Sequence, residues 1–212
     1  MVITQNLTKM YKKIFLFLNL FIAVTISFSQ TSTMGPEERK YCKNYFLAEK
    51  YKLIEDNEAA IEKYQECIKM NSSEPAAFFE LAKILFSLSD FEDSEYYCLQ
   101  AADLDSHNNW YLYFLIQIYH YQFEYEKEAE IWEKLIEIDP LKSEYYFDGS
   151  LVYLGLKDYK KALKILSNYE KEIGFSDQVF LMKSKIFEEK GDEKKHLKSL
   201  EKGATLFPKS IS

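Results

Sequence analysis

The sequence predicts an all-α chain built from helical hairpins that stack one on the next into a superhelix. Three observations predict it. The 212 residues include 17 Tyr, 16 Phe and 2 Trp against only 6 Gly and 4 Pro, a mix that packs and orders and contains few helix breakers. The chain repeats itself every 34 residues from Tyr41 onward, and self-similarity at a fixed period of this size marks a repeat array. All four prolines, Pro36, Pro75, Pro140 and Pro208, fall outside the predicted helix interiors, where each would cost about 3 kcal/mol.

Residues 1–29 carry a targeting pattern. Lys9, Lys12 and Lys13 precede an apolar run from Ile14 to Phe28, and Ser27-Phe28-Ser29 places small residues three and one positions before Gln30. Such a segment is a cleavable export signal, and its apolar run falls short of the roughly 20 residues that a membrane-spanning helix needs; an uncleaved anchor is the alternative. Residues 30–40, with Thr31, Ser32, Thr33, Gly35 and Pro36, are expected to form a flexible leader. No Cys lies near the cleavage point, so a lipid-bearing Cys anchor is not expected.

The array follows as blocks 41–74, 75–108, 109–142, 143–176 and 177–210, with no insertion or deletion. Each block reads as two helices. In the first, Asn44, Leu47, Ala48 and Tyr51 form one stripe, and Ala60, Ile61, Tyr64, Cys67 and Ile68 form another, at the spacing of an amphipathic helix. Between them lies a polar break, Glu55-Asp56-Asn57, matched later by Ser89-Asp90, Glu124, Lys157-Asp158 and Gly191-Asp192. The eighth place is mostly small (Ala48, Ala82, Ile116, Ser150, Ser184), as is the twentieth in most blocks (Ala60, Ser94, Ala162). The eleventh place is large (Tyr51, Leu85, Tyr119, Tyr153, Phe187), and so in most blocks is the twenty-fourth (Tyr64, Trp132, Leu166, Leu200). Small residues let the two helices approach, large ones fill the space around them, and a hairpin that cannot bury both stripes alone must stack on its neighbours. Glu128, at the twentieth place of the third block, is expected to be relieved by the adjacent Ala129. Block five departs most, with Lys183, His196 and Gly203 at packing places, so its second helix is the least well specified.

This phase-locked pattern resembles the tetratricopeptide repeat (TPR) family over residues 41–210, and the export signal beside it looks like exported repeat proteins of Bacteroidota. The resemblance implies a right-handed α-solenoid of five TPR repeats. It also implies that places two, five, nine, twelve and thirteen of the first helices line an inner, concave surface. Carried onto this chain, the centre of that surface holds Phe79, Lys83, Phe86, Trp110, Tyr113, Gln117, Tyr121 and Phe147. The aromatic members would make an apolar patch suited to a protein or extended peptide; mutual burial of the rings, or a covering segment, is the alternative. The Lys/Asn/Arg clamp by which chaperone-tail binders of the family hold a terminal carboxylate is not assembled here.

Charge and chemistry narrow the function further. The net charge of −7 repels phosphate backbones, so nucleic acid is not an expected partner. Arg39 is the one arginine, which weighs against bidentate anion recognition. No catalytic serine, phosphate or dinucleotide motif is present, and the spacings of Cys42, Cys67, Cys98, His107, His120 and His196 suit no metal. The cysteines, odd in number, are expected to behave as small buried hydrophobes. The expectation is a non-catalytic interaction scaffold, without cofactor, exported to the periplasm or the outer membrane. Its membrane association would arise only through an uncleaved N-terminal segment or a partner. A structural module that stacks end to end through its last repeat is the alternative.

Overall fold

The computed structural model describes residues 34–208. The predicted export signal and the first four residues of the leader lie outside the described residues. Among these, ten helices and no strand form: α1 (Pro36–Leu53), α2 (Asn57–Met70), α3 (Pro75–Ser87), α4 (Phe91–Leu104), α5 (Asn109–Gln122), α6 (Tyr125–Ile138), α7 (Ser143–Gly155), α8 (Tyr159–Glu172), α9 (Asp177–Glu189) and α10 (Glu193–Leu206). They pair as five hairpins with the predicted 34-residue period. None of the described helices is long and apolar enough to cross a membrane.

α1 starts earlier than the sequence suggests. The last five residues of the expected flexible leader, Pro36 to Lys40, are its first turns. The reason is local: Pro36 sits at the first helical position, where its missing N–H is harmless, and Glu37 and Glu38 face the positive end of the helix dipole.

The same joint closes every hairpin. The fifteenth residue of each block has positive φ: Glu55 (61°), Ser89 (63°), Phe123 (62°), Lys157 (59°) and Gly191 (76°). The next N–H then reaches back to the carbonyl of the eleventh place, from Asp56 to Tyr51, Asp90 to Leu85, Glu124 to Tyr119, Asp158 to Tyr153 and Asp192 to Phe187, at 2.8–3.0 Å. This is the left-handed closure that satisfies a helix's last carbonyls. The residue that donates also begins the second helix. Asp56, Asp90, Asp158 and Asp192 each accept from the backbone N–H three residues on, the N-cap bond. Glu124 makes no such side-chain bond. The polar breaks are therefore a stop and a start in two consecutive residues.

The described helices fall into two compact units that divide after Asn71. In the first, α1 and α2 pack through Ala48, Ala60, Tyr64 and Cys67. The Tyr64 hydroxyl donates to Glu49, and Asn44 Nδ2 donates to Glu66 at 2.9 Å. In the second unit, α3 to α10 pack each on the next. Its buried residues include Leu81, Leu112, Leu115, Ile118, Leu135, Tyr145, Tyr146, Leu166 and Ile186.

The packing outliers find partners. Glu128 is buried together with Ala129, so the expected relief by register does not occur; its carboxylate instead meets His120 Nδ1 from α5 at 3.1 Å. Lys183 pairs with Glu170 of α8 at 2.6 Å. His196 Nδ1 lies 2.9 Å from the Ser184 hydroxyl. Gly149 and Gly203 leave room for large neighbours: a Cβ on them would stand 3.1 Å from Trp132 Cβ and 3.0 Å from Phe180 Cβ. The second helix of block five, the least specified from sequence, is as long as α8 and carries the same N-cap bond as α8.

Candidate partner-binding surface

All eight residues expected to line a partner surface sit in the second unit on the first helices α3, α5 and α7, and none is buried. Trp110 is 75% exposed and Tyr121 59%. Gln117 is exposed as well, whereas Phe79, Lys83, Phe86, Tyr113 and Phe147 are half-buried. The rings do not all touch one another. They divide into three groups, each completed by residues that the family's inner places do not include.

The first group is apolar and joins α3 to α5. Phe114 is its hub, 5.4 Å from Phe79 and 5.2 Å from Phe86 between ring centres. Tyr121 meets Phe86 edge-on at 5.2 Å and stacks on Phe91 at 5.7 Å. Lys83 lies over the Phe79 ring at 5.4 Å with its ammonium 2.8 Å from Glu80. Behind this group Cys98 is buried and donates to the Tyr111 carbonyl, and burial pushes its thiol up to about 12.

The second group is polar and joins α5 to α7. Trp110 and Tyr113 stand 6.3 Å apart. Tyr113 also packs on Trp132 and Tyr145 at 6.2 and 6.0 Å. Its hydroxyl is 3.0 Å from that of Tyr145 and accepts from Lys142 Nζ at 3.2 Å. A surface hollow of roughly 410 Å³ adjoins Asn109 and Trp110. The third group is small: Phe147 against Tyr169 at 5.2 Å.

Phe114, Phe91, Tyr145, Trp132 and Tyr169 were not marked for this surface by the sequence. One signal was available: Phe114 lies seven residues before Tyr121 and so shares its helical face. Trp132 reads as core from its packing place, and both it and Tyr145 are buried. A separate, larger cleft of about 650 Å³ between α6 and α8 is lined mainly by charged side chains, Glu130, Glu133, Glu137, Lys161 and Lys164 among them. Among the described residues no cluster of His, Cys, Asp or Glu is arranged to hold a metal ion.

This succession of helix pairs is the tetratricopeptide-repeat architecture, and comparison with known proteins bears out that fold. MamA is similar over 80% of this chain and 92% of its own, at 16% identity and a TM-score of 0.55. YrrB, described as a TPR protein with an unusual peptide-binding site, is similar over 78% of this chain and 86% of its own, at 14% identity and a TM-score of 0.53. A tetratricopeptide repeat protein from Parabacteroides merdae is similar over 81% and 68%, at 15% identity and a TM-score of 0.57. By sequence, 61% of the chain is 28% identical to the BBSome complex member BBS4 of Bos taurus, of which that stretch spans only 24%. No protein-family model matches the chain.

Proposed function

We propose that this protein is a non-catalytic interaction scaffold of the cell envelope that holds a protein or extended peptide against the ring-bearing faces of α3, α5 and α7. The observation that carries this is the exposure of Trp110 and Tyr121 at the edges of half-buried ring groups. Large rings at such edges supply contact area at low conformational cost, the usual make-up of binding hot spots. The N-terminal export pattern supports the envelope location, and the peptide-binding site described for YrrB supports the kind of ligand.

The test is partner capture from an envelope extract by the full chain and by a Trp110→Ala, Tyr121→Ala variant. Both rings are exposed, so the variant should keep its helicity by circular dichroism and lose the captured partner. Capture that survives intact would overturn the proposal. A second reading, end-to-end stacking through the fifth hairpin, is favoured by the exposure of Leu197 and Leu206 on α10. Light scattering decides it: a strict monomer at high concentration rules stacking out.

A further inference from the structure

The polar ring group between α5 and α7 has hydrogen bonds that do not close internally. Lys142, in the turn that enters α7, donates to the Tyr113 hydroxyl at 3.2 Å and stands 4.9 Å from the centre of the Tyr145 ring. Tyr113 in turn is 3.0 Å from the Tyr145 hydroxyl, and Asn109 Nδ2 is 3.4 Å from the same oxygen. Tyr145 is fully buried, so its hydroxyl hydrogen needs a partner inside the group. As the Asn109 amide stands, its buried Oδ1 has none. Turning the amide to offer that oxygen to Tyr145 completes a relay from Lys142 to Asn109, and leaves the amide nitrogen as a spare donor. In either arrangement the indole N–H of Trp132 has no acceptor, although that side chain is only 9% exposed and packs on both tyrosines.

With the amide turned, the group leaves two buried donors, the indole N–H and the amide nitrogen, without acceptors. It also lacks a counter-charge. Lys142 is in none of the ion pairs among the described residues. Its ammonium pKa is held up first by the Tyr113 hydroxyl and next by that of Tyr145, with no carboxylate among the causes.

We infer that this group is the docking point for an Asp or Glu side chain within a partner segment, with the Trp110 ring beside it holding an adjacent apolar residue. The inference rests on the peptide-binding reading above. A carboxylate supplies the missing negative charge and accepts from the half-buried Lys142 ammonium, and such charge-assisted bonds are the stronger kind. An internal side chain fits better than a chain end because further rings on α5 offer contacts to the residues that flank it. Trp110 stands next to Tyr113, and the apolar group around Phe114 lies on the same helix. The net charge of −7 repels densely acidic partners, so the point selects a single acid in an otherwise apolar segment.

The test is binding of the full chain to an array of short peptides blocked at both ends, with a central Glu or Gln among varied apolar residues, confirmed by intrinsic fluorescence. The readout is local, because both tryptophans of the chain belong to this group. The expected result is a preference for Glu of about tenfold, the size of one charge-assisted bond. Lys142→Met should abolish that preference, and Lys142→Arg should keep most of it. Equal binding of Glu and Gln peptides overturns the inference and leaves the peptide-binding reading standing. Stronger binding of a Gln peptide with a free C-terminal carboxylate overturns it in favour of chain-end recognition. If no peptide binds, the inference falls, and the capture experiment decides separately on the wider reading.

Discussion

The α3–α5 and α5–α7 seams are the same joint built from different chemistry. In the first, phenylalanines meet around Phe114, and nothing polar is required of the neighbours. In the second, tyrosines, an indole and a lysine occupy equivalent space, and their hydrogen bonds do not close. An apolar seam serves stability and offers generic area to a ligand. A polar seam with an unmet buried donor costs stability. The contrast suggests a division of work, with one seam giving adhesion and the other discrimination.

The largest expected effect falls on the second seam's packing. Trp132→Ala removes an indole fitted against Gly149 and should cost about 3–5 kcal/mol in denaturant unfolding. Phe114→Ala, at the half-buried hub of the first seam, should cost about 2 kcal/mol. Tyr113→Phe sharpens the contrast: it deletes the hydroxyl relay but keeps the ring, and should cost no more than about 1 kcal/mol. A loss as large as that of Trp132→Ala would mean that the polar group holds the fold together rather than serving a ligand.

A pH experiment probes what lies behind the first seam. The Cys98 thiol, which ordinarily ionises near 9.0, is pushed up to about 12 by burial in the fold. A raised folded value means that its contribution is complete below pH 9 and is lost as the unfolded chain, but not the folded one, ionises between those limits. Thermal melts of Cys98→Ala should therefore fall less steeply than the parent's across that window. The smallest effect belongs to the turn between the seams. Glu124→Asp should supply the N-cap that α6 alone among the second helices lacks, raising stability by about 0.5–1 kcal/mol.

The helices and their pairing were legible because small and large residues recur at fixed places, and that periodicity depends on local spacing. What was not legible depends on pairs of deviations that compensate across helices. Lys183 reads as a defect until Glu170 appears on α8, and Gly149 reads as a weak helix position until Trp132 fills the space. Periodicity alone slips Glu128 out of register, yet it stays in and is met by His120, eight residues upstream. The ring groups were half legible: the first-helix rings named from the sequence are all left unburied. Phe114, Tyr145 and Trp132 tie those rings into groups through contacts between helices, which a periodic template of single positions does not contain.

The positive φ at the fifteenth place recurs in all five hairpins, yet only the last fills it with glycine, at Gly191. Glu55, Ser89, Lys157 and above all the bulky, exposed Phe123 accept a backbone conformation that costs a side-chain-bearing residue about 1 kcal/mol. These positions lie on turns, so each can be changed without disturbing a seam. Glycine at any one of them removes that strain and is expected to stabilise its own hairpin.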